Sequence, residues 1–154
     1  MKKNLVLIFN INIKILRYFK VWGVAMPCAG IEQSLDGNTL PNAPEFSVNL
    51  GIAYSWQLKG GMDLVAATNY YWQDEFYTRV FNTGNDIVDA WDVWNATVTL
   101  HGADGRWFAE LWGRNLKDDD FVTGQYLGDQ NVGLATNQFL LEPRTWGMTL
   151  GYRF

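Results

Sequence analysis

The chain has 154 residues with 16 acidic and 12 basic side chains, a net charge of −4, one histidine and one cysteine. That length suits one domain, and an acidic balance with no basic run argues against a nucleic-acid partner. A single cysteine excludes a disulfide framework or a cysteine-rich zinc site within the chain. The longest unbroken aliphatic or aromatic run is 5–9, whereas a membrane-spanning helix needs roughly 20 apolar residues. A helical membrane protein is thereby excluded; a β-barrel one is not.

Residues 1–39 admit three readings. Met1, Lys2 and Lys3 ahead of the apolar 5–13 resemble a signal peptide, with Gly23, Val24 and Ala25 as a small-residue cleavage site. Against this, Asn10 and Asn12 interrupt the apolar segment, Lys14, Arg17 and Lys20 follow it, and 9–15 alternates as an extra strand would. Spurious translation upstream of a broken gene is the third reading.

From Phe46 onward the alternation is regular. The even positions Phe46, Val48, Leu50, Ile52, Tyr54 and Trp56 are large and apolar, and Ser47, Asn49, Gly51, Ala53, Ser55 and Gln57 between them are small or polar. Period two is the mark of a strand with two unlike faces. A glycine-marked turn at 58–61 leads to a second strand over 62–73, where Met62, Leu64, Ala66, Tyr70 and Trp72 oppose Asp63, Ala67, Asn69 and Gln73. After a polar stretch around 82–86, Trp94, Ala96, Val98 and Leu100 alternate with Asn95, Thr97, Thr99 and His101. Gly102, Ala103, Asp104 and Gly105 form a hairpin turn. Trp107, Ala109, Leu111 and Gly113 then oppose Phe108, Glu110, Trp112 and Arg114. Residues 117–142 read as a long loop. The final strand, 144–154, sets Trp146, Met148, Leu150, Tyr152 and Phe154 against Thr145, Gly147, Thr149, Gly151 and Arg153.

Two architectures explain this regularity. In a soluble sandwich the apolar face is the core, and the outer face carries many charges. In an outer-membrane barrel the apolar face meets lipid and the other face lines a lumen. Here the polar faces hold Ser, Asn, Gly, Thr and Gln, and Trp56, Trp72, Trp94, Trp107 and Trp146 lie near strand ends, as interfacial girdles do. Short turns alternate with long polar connections, again as in a barrel. The fold class expected is all-β: about five amphipathic antiparallel transmembrane strands of a larger barrel, unable to close alone, since the smallest single-chain barrels have about eight.

Three motifs resemble the C-terminal end of a TonB-dependent receptor, the outer-membrane family that takes up siderophores, vitamins and oligosaccharides. LPNAPEF at 40–46 is similar to the family's lead-in to a late barrel strand, through Leu40, Pro41 and Pro44. RNLKDDDF at 114–121 resembles the signature after the penultimate strand, through Asn115 and Leu116. EPRTWGMTLGYRF at 142–154 resembles the closing strand, through Pro143 and Arg144 and the terminal aromatic. The resemblance covers 40–154, in family order. It implies a Gram-negative outer-membrane location and lipid contact through Phe46, Val48, Leu50, Ile52, Tyr54 and Trp56. It further implies an assembly signal at Trp146, Met148, Leu150, Tyr152 and Phe154 read by the barrel-assembly machinery. In an intact receptor the partners would be a plug domain and the TonB complex.

Such receptors resemble 22-stranded plugged barrels. About five strands fall well short, so the chain reads as a C-terminal receptor fragment that is not transport-competent alone. Two other readings stand beside it: a soluble Trp-rich β-sandwich binding sugars, and a small barrel closed by oligomerisation. No cofactor and no catalytic set are expected. His101 reads as a solvated imidazole, and Asp118, Asp119 and Asp120 as a solvated loop rather than a calcium site. Glu110, Arg114 and Arg153 would face the lumen, and Cys28 an extracellular loop.

Overall fold

The computed structural model describes residues 3–13, 24–25, 32–33, 35–128, 131, 133 and 135–154. Its strands in chain order are β1 (Lys3–Ile13), β2 (Val24–Ala25), β3 (Glu32–Gln33), β4 (Phe46–Gln57), β5 (Asp63–Gln73), β6 (Phe76–Tyr77), β7 (Ile87–Val88), β8 (Trp91–His101), β9 (Trp107–Arg114), β10 (Val122–Leu127), β11 (Thr136–Leu140) and β12 (Thr145–Tyr152). A 3₁₀ turn runs over Gly84–Asp86. The chain is all-β, and every strand pair is antiparallel.

The main sheet has six strands in the order β1-β4-β5-β8-β9-β12. Five of these are the segments marked by alternation. The sixth, β1, corrects the expected count: 3–13 lies along β4 in unbroken register from Lys3↔Trp56 to Ile13↔Phe46. A second correction concerns 117–142, which contains the β10-β11 hairpin with a register shift between Val122 and Gly124. Among the described residues no sheet closes into a barrel, and β1 and β12 are the two edges of the six-stranded one.

Two short turns lie at one end of the sheet. In the first, the Leu58 N–H donates to Met62 O (2.8 Å), and Gly60 and Gly61 take φ of 82° and 80°, which disfavours any side chain there. In the second, Gly105 donates to Gly102 O (3.0 Å) with φ of 68°. The connections 74–90 and 115–144 gather at the opposite end.

The core sits at that loop end. Among the described residues the buried hydrophobic side chains are Leu35, Phe76 and Val88, and none belongs to the six-stranded sheet. A sheet with two unlike faces normally buries the apolar one against another layer. This one does not.

Candidate functional site

Register carries the apolar face across the whole sheet. Leu5 pairs with Tyr54, Tyr54 with Ala66, Ala66 with Val98, Val98 with Leu111, and Leu111 with Met148. Cross-strand partners share a face, so the even residues of β4 and of β12 lie on the same side. That side therefore holds the whole set Phe46, Val48, Leu50, Ile52, Tyr54 and Trp56, together with Trp146, Met148, Leu150 and Tyr152. Among the described residues nothing covers it: Phe9, Leu111 and Leu150 are 68%, 60% and 68% exposed. The one indole donor placed there by Trp94 is satisfied within the sheet, by Thr68 Oγ1 at 2.5 Å. Phe154 lies beyond the end of β12, fully exposed, with its ring 5.1 Å from that of Tyr152.

The other face is mostly polar, with the rings of Tyr71, Trp91, Phe108 and Trp112 among small residues. Asn69 donates to Asn49 Oδ1 (2.5 Å), and Thr99 donates to Glu110 Oε2 (3.1 Å). The Arg114 guanidinium stands 5.3 Å from the Trp112 ring centre and 3.9 Å from Glu142. Glu110, Trp112 and Arg114, with Asn95, Thr97 and Thr149, line a shallow groove. Glycine makes room for flat rings here. A Cβ on Gly147 would run into the Trp112 ring and one on Gly151 into Phe108; on the apolar face one on Gly113 would meet Trp146. Gly147 faces Trp112, Gly151 faces Phe108 and Gly113 faces Trp146 across the β9-β12 ladder. Each ring thus lies down over its partner's bare backbone. His101 is exposed beside Phe108, their rings 6.2 Å apart.

The loop end is a hydrogen-bonded block built on two side chains. Asn115 is 2% exposed and adopts φ of 46°. Its Nδ2 donates to Asp119 O (3.0 Å) and Glu142 O (2.9 Å), its Oδ1 accepts from Asp119 N (3.3 Å), and its own N–H donates to Asn95 Oδ1 (3.1 Å). Beside it, Asp118 accepts from the Arg144 N–H (3.1 Å) and guanidinium (3.0 Å). Leu116 lies where a Cβ on Gly113 would be. The motif residues at 115–118 and 143–144 therefore meet as one clasp at the base of the 115–144 connection. Lys117 bonds Asp92 (2.8 Å) and Asp119 (3.1 Å), which raises its pKa through those hydrogen bonds. Asp118 and Asp119 thus each have a cationic partner in the chain while staying at least partly exposed, as does Asp120.

Asp86, 1% exposed, is the second organiser. The Thr83 hydroxyl (2.5 Å) and N–H (3.1 Å) donate to its Oδ2, the Arg79 Nε–H donates to its Oδ1, and its carbonyl accepts from Thr78 N (2.8 Å). Burial pushes its pKa up, but the hydrogen bonds from Thr83 and Arg79 outweigh burial and leave it below the ordinary carboxylate value. Asn82 accepts from Thr39 N at 2.5 Å and Asn42 N donates to Tyr77 O at 2.7 Å, tying the 40–46 segment to this block. Gln125 reaches across from β10 to Asn85 O (2.9 Å) and Ile87 O (3.0 Å).

Sequence reading missed Asp86 and Asn95. An Asn-Thr-Gly-Asn-Asp stretch marks a turn, but nothing in it marks which carboxylate will be enclosed. Cys28 and the Gly23 end of the cleavage motif lie outside the described residues. No described cluster of His, Cys, Asp and Glu has the makings of a metal site, and no described helix is long and apolar enough to cross a membrane. No protein-family model matches the chain, and no solved structure matches it.

Proposed function

We propose that this chain forms wall strands of an outer-membrane β-barrel of the TonB-dependent receptor class, which takes up a scarce ligand of the siderophore, vitamin or oligosaccharide type. The observation that carries the reading is the uncovered apolar face running across all six strands. Strands of 11 residues such as β5 and β8 are long enough for the task. At about 3.4 Å per residue and a tilt near 45° they span roughly 26 Å, close to the apolar band of such barrels. The opposite face, uncharged for most of its length, suits a lumen. The clasp of Asn115, Asp118 and Arg144, on the motif residues that carry the resemblance, supports assignment to this family.

In an intact receptor these strands work with a plug domain and the TonB complex, and the wall is built by the assembly machinery. The chain catalyses nothing in this reading. Transport needs a closed wall and a plug, so these strands contribute containment rather than uptake by themselves.

The test is insertion into vesicles whose lipids carry bromine at mid-chain. Tryptophan fluorescence of the full chain should be quenched, because Trp94 and its neighbours face the acyl region. A chain that remains in the aqueous phase with unquenched fluorescence refutes the membrane wall and favours a soluble sugar-binding sandwich.

A further inference from the structure

We propose that the loop-end half of the polar face holds a binding subsite for a neutral saccharide, which stacks on Trp112 and hydrogen-bonds to Asn95, Glu110 and Thr149. The proposal rests on the membrane-wall reading and deepens it, since it selects one ligand class from the three that such receptors take up.

Aromatic rings are the first argument. In a wall the polar face meets no lipid, so interfacial anchoring gives no reason for rings there. Yet Tyr71, Trp91 and Trp112 lie on its loop-end half, with Phe108 at the turn end. Tyr71 and Trp91 set their rings 5.3 Å apart. Trp112 lies two residues before the end of β9, its ring laid over the bare backbone of Gly147. A ring seated that way has one side packed, and its other side borders the groove. The negative face of an indole accepts the slightly positive C–H side of a pyranose. The Arg114 guanidinium stands 5.3 Å from the ring centre, looser than close stacking, and its side chain is 63% exposed. A sugar can therefore replace it over the ring while Arg114 turns to donate to hydroxyls.

Polar groups are the second. The groove that Trp112 shares with Asn95, Thr97, Glu110, Arg114 and Thr149 has a volume of about 390 Å³, within the roughly 300–1,000 Å³ of small-molecule sites. The Asn115 backbone N–H can only donate, so it holds Asn95 Oδ1 toward the clasp and leaves Nδ2 as the donor offered to the groove. Among the described residues Glu110 is bonded through Oε2, to the Thr99 hydroxyl, and Oε1 remains as an acceptor. Thr149 adds a hydroxyl that can do both. An amide donor, a carboxylate acceptor and a hydroxyl around a flat ring suit a ligand with several hydroxyls and one apolar side.

Charge is the third. Among the described strand residues of this face the charged ones are Asp63, Glu110 and Arg114. Glu142, 3.9 Å from Arg114, further offsets the single cation. An anionic iron chelate or phosphate ester would call for clustered positive charge. A neutral saccharide does not.

The experiment titrates the full chain in vesicles with maltohexaose, cellohexaose and xylohexaose, and with ferric citrate and cyanocobalamin for the other two ligand classes, by calorimetry. At least one hexasaccharide should bind, and Trp112→Ala should weaken it about tenfold or more. Trp112→Tyr, which retains a platform, should lose less, and Glu110→Gln, which keeps the side chain's shape, should lose several-fold. These two variants decide the matter if the alanine variant fails to fold. No saccharide binding, saccharide binding indifferent to all three substitutions, or binding of ferric citrate or cyanocobalamin instead overturns the subsite. The bromolipid readout separates this failure from that of the wall. A quenched chain that binds no saccharide removes the subsite alone, and an aqueous chain whose saccharide binding weakens in Trp112→Ala keeps the groove and removes the wall.

Discussion

Replacing Asn115 with alanine removes three side-chain hydrogen bonds, to Asp119 O, Glu142 O and Asp119 N. Each contributes about 1 kcal/mol net, and the buried groups left behind have little access to water. Alanine at φ of 46° adds about 1 kcal/mol of left-handed strain. The total is about 4 kcal/mol. Asn115→Gly keeps the loss of bonds but relieves the strain, for about 3 kcal/mol, and Asn115→Asp retains the acceptor, for about 2 kcal/mol. Since 1.4 kcal/mol is tenfold in an equilibrium, a 3 kcal/mol loss opens the clasp about 150-fold more often. Amide hydrogen exchange over 115–119 should therefore quicken by that order in the glycine variant, and further in alanine. Exchange within threefold of the parent in Asn115→Ala, or equal rates for alanine and aspartate, would refute the reasoning.

Leu50→Arg and Leu150→Arg should each destabilise the bilayer-inserted sheet by about 2–4 kcal/mol, and Asn49→Arg much less, measured by urea unfolding in vesicles; equal penalties would reverse the assignment of faces. Gly147→Ala and Gly151→Ala should lose about 1–3 kcal/mol by displacing the Trp112 and Phe108 rings, with a weakened near-ultraviolet dichroism signal; an unchanged signal refutes the ring-over-glycine packing. Because the pKa of Asp86 is held down in the folded chain, its contribution is complete above the unfolded carboxylate value of about 3.9 and fades as pH falls through the folded value. Exchange protection of 76–88 should accordingly drop below about pH 4, and Asp86→Asn should be less protected at neutral pH and flat across that window.

Period two made β4, β5, β8, β9 and β12 legible, because one face of each is apolar and the other is not. β1 was ambiguous for the same reason inverted: Leu5 to Phe9 is apolar on both faces, so alternation fails and a leader-like run and a strand look alike. The β10-β11 hairpin escaped because Thr123, Gly124 and Gln125 carry no alternation and the pairing slips at Gly124. At the loop end, Asn115 stood out only as a motif letter. Its role depends on a left-handed backbone and on partners up to 27 positions away, at Glu142, which spacing alone does not reveal. Asp86 resembles any acidic loop residue until Thr83 and Arg79 enclose it.

The clasp at the base of the 115–144 connection separates two kinds of sequence freedom. With Asn115 and Asp118 fixing where the chain leaves β9 and enters β12, the span between them is an exchangeable cassette. Doubling the length of a flexible insert adds only about 0.6 kcal/mol of closure entropy. Selection can therefore rewrite the tip for a new binding task while the ladder beneath keeps its register, and an engineer grafting a foreign peptide would cut inside the clasp rather than at the strand ends.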